Sequence, residues 1–259
     1  MKKILPHIYS RVQTVWGNDV EMLILERETM ASKPILQLLW RGWYEEIEPF
    51  MPDQGLNVEV GAGGGFAGTY FKNLIQTDIV KTPHINLCCD AITFPFKDGV
   101  LDTIVMIAVL HHIKDIDEFF NEARRVLKKG GKILIVEPYV SYLSYPVWKL
   151  LHYESCNLKS LSIDSNEHAR IDANIAIPTI LFKKKRRQFE KDYADLKIIY
   201  ENYHTIFHFF ASGGYTYPSL IPKYLLSYLV KVEKKLQPLG KWLGSFMTVI
   251  IQKDQTKEK

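Results

Sequence analysis

The chain has 259 residues, of which 47% are apolar and 24% charged, a globular composition with material for a sizeable core rather than that of a disordered or fibrous chain. Three cysteines, two of them adjacent (Cys88 and Cys89), exclude a disulfide framework and fit a reducing, cytoplasmic setting, and no Cys/His metal spacing is present. The net charge of +4 is mild, and without a broad basic field or a recognised RNA- or DNA-binding module it does not favour a nucleic-acid partner. It is also uneven: residues 1–150 carry 16 Lys/Arg against 18 Asp/Glu, and residues 151–259 carry 17 against 11.

The N-terminal MKKILPHIYSRVQ lacks an apolar run long enough for a signal peptide. Residues 16–50 read as helix, with Met22, Leu25, Ile35, Leu38, Leu39 and Trp43 at helical spacing and a helix start at Ser32–Pro34. From residue 56 short strands alternate with helices. Leu56–Val60 reads as a strand, Phe66–Leu74 as a helix, and Thr77–Val80 and Ile85–Cys89 as two further strands. Leu101–Leu110 is a near-continuous apolar run, expected of a strand buried on both faces. Ile116–Leu127 carries one apolar stripe and reads as an amphipathic helix stopped by Gly130-Gly131. Lys132–Val136 makes a fifth strand. This alternation predicts an α/β fold with a parallel sheet and helices on both faces.

Residues 138–178 break the rhythm with an aromatic, loop-rich segment, PYVSYLSYPVWKLLHYE and a polar stretch after it. Helix returns over Ile180–Leu196. Ile198–Tyr203 and Phe246–Gln252 read as closing strands, separated by a Gly/Pro-rich loop (Gly213–Pro222) and a helix near Tyr224–Leu236. The tail QKDQTKEK is expected to fray. The longest stretch free of Asp, Glu, Lys and Arg, Asn202–Pro222, contains two glycines and two prolines and is poor material for a membrane span.

The stretch VEVGAGGGFAG, Val58–Gly68, places five glycines in eight positions after an apolar run, a loop whose bare backbone a ligand can approach. A triphosphate loop would need Lys-Ser/Thr after the last glycine, and none follows. Gly63, Gly65 and Gly68 satisfy the dinucleotide string GxGxxG, but the acid that should follow about 20 residues on is missing. The third reading takes Gly61, Gly63 and Gly65 as GxGxG with Glu59 ahead. Asp78 then ends the second strand and Asp90-Ala91 the third, followed by FPFKDGVLDTIVMIAVLHHI and EARRVLKKGGKILIVEPY. In this ordered series, over residues 56–139, the chain resembles the class I S-adenosylmethionine-dependent methyltransferases, in the type 11 subfamily that includes ubiquinone- and menaquinone-pathway enzymes.

The resemblance implies a Rossmann-like seven-stranded sheet of order 3-2-1-4-5-7-6 with strand 7 antiparallel. It implies a single domain over 1–259: an N-terminal helical extension (1–52), a cofactor-binding core (53–138), a substrate lid or insert (139–178), and C-terminal helices and closing strands (179–259). It assigns the cofactor to Glu59, Gly61, Ala62, Gly63, Gly65, Asp78, Asp90 and Ala91, with Asp78 on the ribose diol, Asp90 on the adenine and Glu59 at the amino-acid end. Competing structural readings make Asp78 a turn cap, Asp90 an Asx-turn residue and Glu59 a structural hydrogen-bonder.

His111 and His112 are expected to end the fourth strand, with at most one facing the cleft because adjacent strand residues point opposite ways. His111 is the candidate proton acceptor, against a packed strand-end histidine. Glu137, Tyr139, Tyr142, Tyr145 and Trp148 are the candidate acceptor contacts, against simple packing or, for Glu137, anchoring of a loop. His204, His208, Tyr215 and Tyr217 add aromatic surface from the other long loop.

Lys183–Arg187 (KKKRR) is the one strong charge cluster. Phe182, Phe189, Tyr193 and Leu196 share a helix face and leave the basic residues outward, either simply solvated or touching an anionic lipid surface or acidic acceptor. The expected function is methyl transfer from S-adenosylmethionine to a small-molecule, glycan- or lipid-linked acceptor, as in uncharacterised bacterial enzymes with the same EPY-type insert. The rival readings are a non-catalytic S-adenosylmethionine-binding subunit and an NAD-dependent dehydrogenase.

Overall fold

A computed structural model describes residues 18–163 and 172–254. The first 17 residues, residues 164–171 of the insert and the last five residues of the QKDQTKEK tail lie outside the described residues. Helix α1 (Asp19–Ser32) starts where the Asn18 side chain accepts the Glu21 N–H. Pro34 cannot donate to a preceding turn and pushes Lys33 into an extended conformation. Ser32 therefore closes α1 rather than opening a helix, and Pro34 begins α2 (Pro34–Ile47). The apolar face of α2 buries Ile35, Leu36, Leu39, Trp43 and Ile47.

The strands and helices that follow are β1 (Asn57–Val60), α3 (Ala67–Tyr70), β2 (Ile75–Asp78), β3 (Leu87–Cys88), β4 (Leu101–Ile107), α4 (Ile116–Val126) and β5 (Leu127–Pro138). The insert holds α5 (Ser144–Leu150), and after it come α6 (Arg186–Asp192), β6 (Leu196–His204), α7 (His208–Ser212), α8 (Leu226–Leu236) and β7 (Phe246–Lys253). The sheet order is β3-β2-β1-β4-β5-β7-β6, parallel from β3 to β5, with β7 antiparallel to both neighbours, as the resemblance implied.

Strand β4 alternates between the two faces of the sheet. Ile104 and Met106 join Val58, Ile133, Ile135 and the α4 stripe (Phe119, Phe120, Ala123) in one core layer. Val105 and Ile107 join Leu134, Val136 and α2 (Leu36, Leu39, Trp43) in the other. Each buried Val, Leu, Ile, Met or Phe among them contributes about 1.5–3 kcal/mol of apolar burial, which is why an uninterrupted apolar run marks a central strand.

Three elements differ from the sequence reading. Helix α3 has four residues, because Phe71 is already extended. Gly130-Gly131 does not stop α4. Leu127 turns extended first, and the glycines lie inside β5, where pairing jumps from Leu101↔Leu127 to Thr103↔Lys132 and Gly130 adopts φ 78°. The segment read as one helix over Ile180–Leu196 is broken: a π-helical turn, Ile180–Lys184, is followed by a kink at Lys185 and then α6. Phe182, Phe189, Tyr193 and Leu196 are nevertheless all buried together, so the apolar face was read correctly although the helix was not continuous. Among the described residues no helix is long and apolar enough to cross a membrane.

Candidate functional site

The glycine loop leaves the carboxyl end of β1, between the ends of β2 and β4. Gly61, Gly63 and Gly65 hold φ values of 65°, 54° and 70°, a region costly to residues with a Cβ. A Cβ on Gly61 would lie 2.5 Å from Val109 Cγ2, and one on Gly65 would lie 2.7 Å from the His84 carbonyl oxygen. Ala62 N–H donates to the Thr77 carbonyl at 2.9 Å, tying the loop to β2.

Asp78, the last residue of β2, is buried and accepts two backbone N–H groups, from Gly63 at 2.8 Å and Val80 at 2.8 Å, one on each carboxylate oxygen. A carboxylate has about four acceptor positions, so roughly two remain. Asp90, just beyond β3 and half-buried, makes an Asx turn by accepting the Ile92 N–H at 3.1 Å, and the buried Ala91 packs into the core beside it. The turn roles weighed for both acids are thus present, and each carboxylate retains acceptor capacity.

Glu59 on β1 is buried and accepts from Gln76 Nε2 at 2.8 Å. Burial and the nearby Asp78 push its carboxyl up to about 7, against the pull of the Gln76 bond. Tyr44 on α2 feels the Glu59 charge, and its buried hydroxyl has no hydrogen-bond partner. Helix α1 covers the loop: Leu23 stands where a Gly63 Cβ would point, and Arg27 Nη1 donates to the carbonyls of Gly64 and, at 3.2 Å, Gly65. Phe66, just after the loop, stacks on Tyr215 with ring centroids 6.1 Å apart. Leu23, Arg27 and Tyr44 were not singled out from sequence, where they fall in a stretch read only as helix.

At the end of β4 the sequence reading is corrected. Ala108 adopts φ 57° and takes the chain out of the strand, so the two histidines lie on a 3-10 turn, Leu110–His112, and not on opposite faces of a strand. Their rings stand 4.2 Å apart and both are directed at Glu154 of the insert. Glu137, fully buried at the end of β5, makes this turn possible. One of its oxygens accepts the Val109 and Leu110 N–H groups, each at 2.6 Å, and the other pairs with His111 Nδ1 at 2.6 Å.

Burial opposes a charge on His111, but Glu137, by charge and hydrogen bond, and then Glu154 raise the imidazole to about 10. Burial would raise the Glu154 carboxyl, yet His111, His152 and His112 hold it well below the usual range. In this arrangement His111 keeps its protons and is poorly suited to accept one. Glu137 takes the loop-anchoring part weighed for it.

The aromatic candidates divide. Tyr139 and Trp148 are core residues: Trp148 Nε1 donates to the Tyr139 carbonyl at 3.1 Å, and the Tyr139 hydroxyl donates to the Lys241 carbonyl at 3.0 Å. Tyr142 (84% exposed) and Tyr145 lie at the surface. His204 and His208 are buried rather than presented as aromatic surface. Much of the basic run is engaged within the chain: Lys183 with Tyr139, Lys184 with the Leu158 carbonyl at 2.9 Å, and Arg186 with Glu190 at 2.8 Å and with Glu201.

Residues 58–135 match the family model described as a methyltransferase domain. An uncharacterized protein of Methanocaldococcus jannaschii is 26% identical over 248 residues, covering 92% of each chain. A demethylmenaquinone methyltransferase of Staphylococcus haemolyticus is 32% identical over 102 residues, which is 38% of this chain and 42% of that one. Among solved structures, a methyltransferase from Archaeoglobus fulgidus superposes with a TM-score of 0.54 at 14% identity, covering 83% of this chain and 93% of that one. The matched domain and the sheet order agree: residues 58–135 carry a methyltransferase domain, set on the Rossmann-like sheet shared with S-adenosylmethionine-dependent methyltransferases.

Proposed function

We propose that the chain transfers a methyl group from S-adenosylmethionine to a small-molecule, glycan- or lipid-linked acceptor in the cytoplasm. In this reading the cofactor lies over the glycine loop and the acceptor lies at the carboxyl ends of β4 and β5, beside the insert. The observation that carries it is the set of strand-end groups. Three left-handed glycines, Asp78 and Asp90 follow β1, β2 and β3 in turn, on the side of an open α/β sheet where ligands bind.

The donor and acceptor set fits this cofactor. Asp78 has acceptor capacity for a ribose diol and Asp90 for an adenine amino group. Glu59, poised near neutrality beside an unpartnered Tyr44 hydroxyl, suits an ammonium group. S-adenosylmethionine supplies a methyl on a sulfonium, already attached to a good leaving group. The protein's part is then alignment and exclusion of water. Leu23 and Arg27 cover the loop, Val109 props Gly61, and Glu137 fixes the Val109–His111 turn that forms one wall. His111 acts as a positioning residue, with Nδ1 held on Glu137. Exposed Tyr142 and Tyr145 are the insert side chains offered to an acceptor. The division into helical extension, core, insert and closing strands belongs to the same reading.

Calorimetric titration tests it. S-adenosylhomocysteine should bind with one-to-one stoichiometry and NAD should not bind. Binding of NAD alone would favour a dehydrogenase. Tight binding without transfer of labelled methyl to any extract fraction would favour a non-catalytic cofactor-binding subunit.

A further inference from the structure

Outside the glycine loop, the described residues hold one group of side chains with the arrangement of metal ligands: His111, His112 and Glu154, whose ligand atoms all lie within 4.8 Å of one another. The sequence reading expected no metal, since an adjacent histidine pair and a glutamate some 40 residues later match no ligand spacing.

The hydrogen bonds fix which nitrogen of each ring faces the glutamate. His111 Nδ1 meets the Glu137 carboxylate at 2.6 Å, and His112 Nδ1 meets the main-chain carbonyl of Asp172 at 3.1 Å. A carbonyl only accepts, and so does an ionised carboxylate, so Nδ1 carries the hydrogen in both rings. That leaves Nε2 of each ring as the atom turned toward Glu154. Both Nε2 atoms are directed at the one carboxylate, His111 at 3.5 Å from Oε2 and His112 at 3.6 Å from Oε1. Two imidazoles and a carboxylate thus converge on one point that calls for a cation, either the second proton of His111 or a metal ion that displaces it.

The separations point to the kind of cation. Contacts of 3.5 and 3.6 Å exceed the 2.7–3.2 Å of ordinary N–H···O bonds. Two ligands each about 2.0–2.1 Å from one tetrahedral ion stand roughly 3.3–3.4 Å apart, near the distance from each imidazole to its own Glu154 oxygen, and all three residues offer ligand atoms within 4.8 Å of one another. The outer partners complete the pattern, because metal-binding histidines commonly donate the other ring N–H to a carboxylate or backbone carbonyl. Glu137 and Asp172 supply one of each.

We propose that His111, His112 and Glu154 bind one divalent transition-metal ion of the zinc class, with a further coordination position for an oxygen ligand. Two imidazoles and a carboxylate favour zinc or cobalt over magnesium or calcium. His112 is partly exposed, which gives the ion a route in and the oxygen ligand a side to approach from. His152, with Nδ1 3.6 Å from Glu154 Oε2 but nearer the Glu154 N–H at 3.3 Å, borders the site and is not counted as a ligand. The ion would join the insert to the β4 turn that abuts Gly61 through Val109. The proposal is independent of methyl transfer, since metal content answers it whether or not a methyl is moved.

The test uses the full chain, stripped with a chelator and dialysed. Zinc chloride titrated calorimetrically should bind at one equivalent, and magnesium chloride at the same concentrations should not bind. Cobalt chloride should give visible d–d absorption that zinc displaces. Glu154→Gln and His112→Ala should each weaken zinc binding at least about ten-fold, while His152→Ala should leave one equivalent bound. If Glu154→Gln fails to fold by circular dichroism, His112→Ala at the partly exposed position decides. Absence of saturable zinc binding, or zinc binding unchanged in His112→Ala, would overturn the proposal.

Discussion

Glu137→Ala removes a fully buried carboxylate that accepts three short bonds, two from the Val109 and Leu110 N–H groups and one from His111. Each hydrogen bond to a charged group is worth about 1.5–3 kcal/mol net, but the three share one acceptor and do not add. The better guide is the loss of one partner from a buried ion pair, about 3–5 kcal/mol. His111 would be left buried with Glu154 as its remaining carboxylate, and two main-chain donors would lose their acceptor. At about 2–4 °C per kcal/mol for a domain of roughly this size, the melting temperature should fall by about 6–20 °C. Urea unfolding followed by tryptophan fluorescence reads the free energy directly. Glu137→Gln keeps an oxygen for the two N–H groups and loses only the charge, so its loss should be smaller. S-adenosylhomocysteine affinity should also drop in the alanine variant, because the freed turn carries Val109, which props Gly61. A loss below about 1 kcal/mol for Glu137→Ala would refute the view that this carboxylate organises the end of β4.

Glu59 gives a pH prediction. Its folded value of about 7 lies above the ordinary 4.5, so the folded state holds the proton more tightly. Its contribution to stability is therefore fully present below pH 4.5 and is lost as pH rises to about 7, a change of order 3 kcal/mol. Urea midpoints across that window should show this component disappear in Glu59→Gln, and an unchanged profile would show that Glu59 titrates normally. Gly61→Ala forces a Cβ into the left-handed region 2.5 Å from Val109 Cγ2 and should cost about 2–4 kcal/mol by urea unfolding. Arg27→Ala removes the clamp on Gly64 and Gly65 and should weaken S-adenosylhomocysteine binding by calorimetry with little change in fold. Tyr142→Ala, at an exposed position, should leave stability within about 0.5 kcal/mol and raise KM for the acceptor, and an unchanged KM would remove Tyr142 from the acceptor surface.

The central sheet was legible because its strands are buried on both faces, and Leu101–Ile107 carries that requirement as a continuous apolar run. The strand-end acids were legible through the ordered motif series that carries the family resemblance, not through strand bounds, since the strand read as Thr77–Val80 spans Ile75–Asp78. The His111–His112 pair was misread because strand alternation does not survive the positive φ of Ala108, and nothing in the local sequence announces that a glutamate 26 residues later will cap the turn. Glu154 was invisible for a related reason: an isolated acid in an aromatic insert gains meaning only when the fold brings it to the histidines. Arg27 and Leu23 lie on α1, whose apolar residues form no one-sided stripe, so their approach to the glycine loop is a tertiary fact. The insert aromatics were legible as a group and not individually, since burial separates Trp148 from Tyr142 on nearly the same local composition.

The most direct measurement is a crystal structure of the chain with S-adenosylhomocysteine. Both ribose hydroxyls should donate to Asp78, the adenine amino group should donate to Asp90, and the homocysteine ammonium should face Glu59, with Gly61–Gly65 against the thioether. A nucleoside bound elsewhere, with Asp78 still accepting only from Gly63 and Val80, would contradict the assignment of the site.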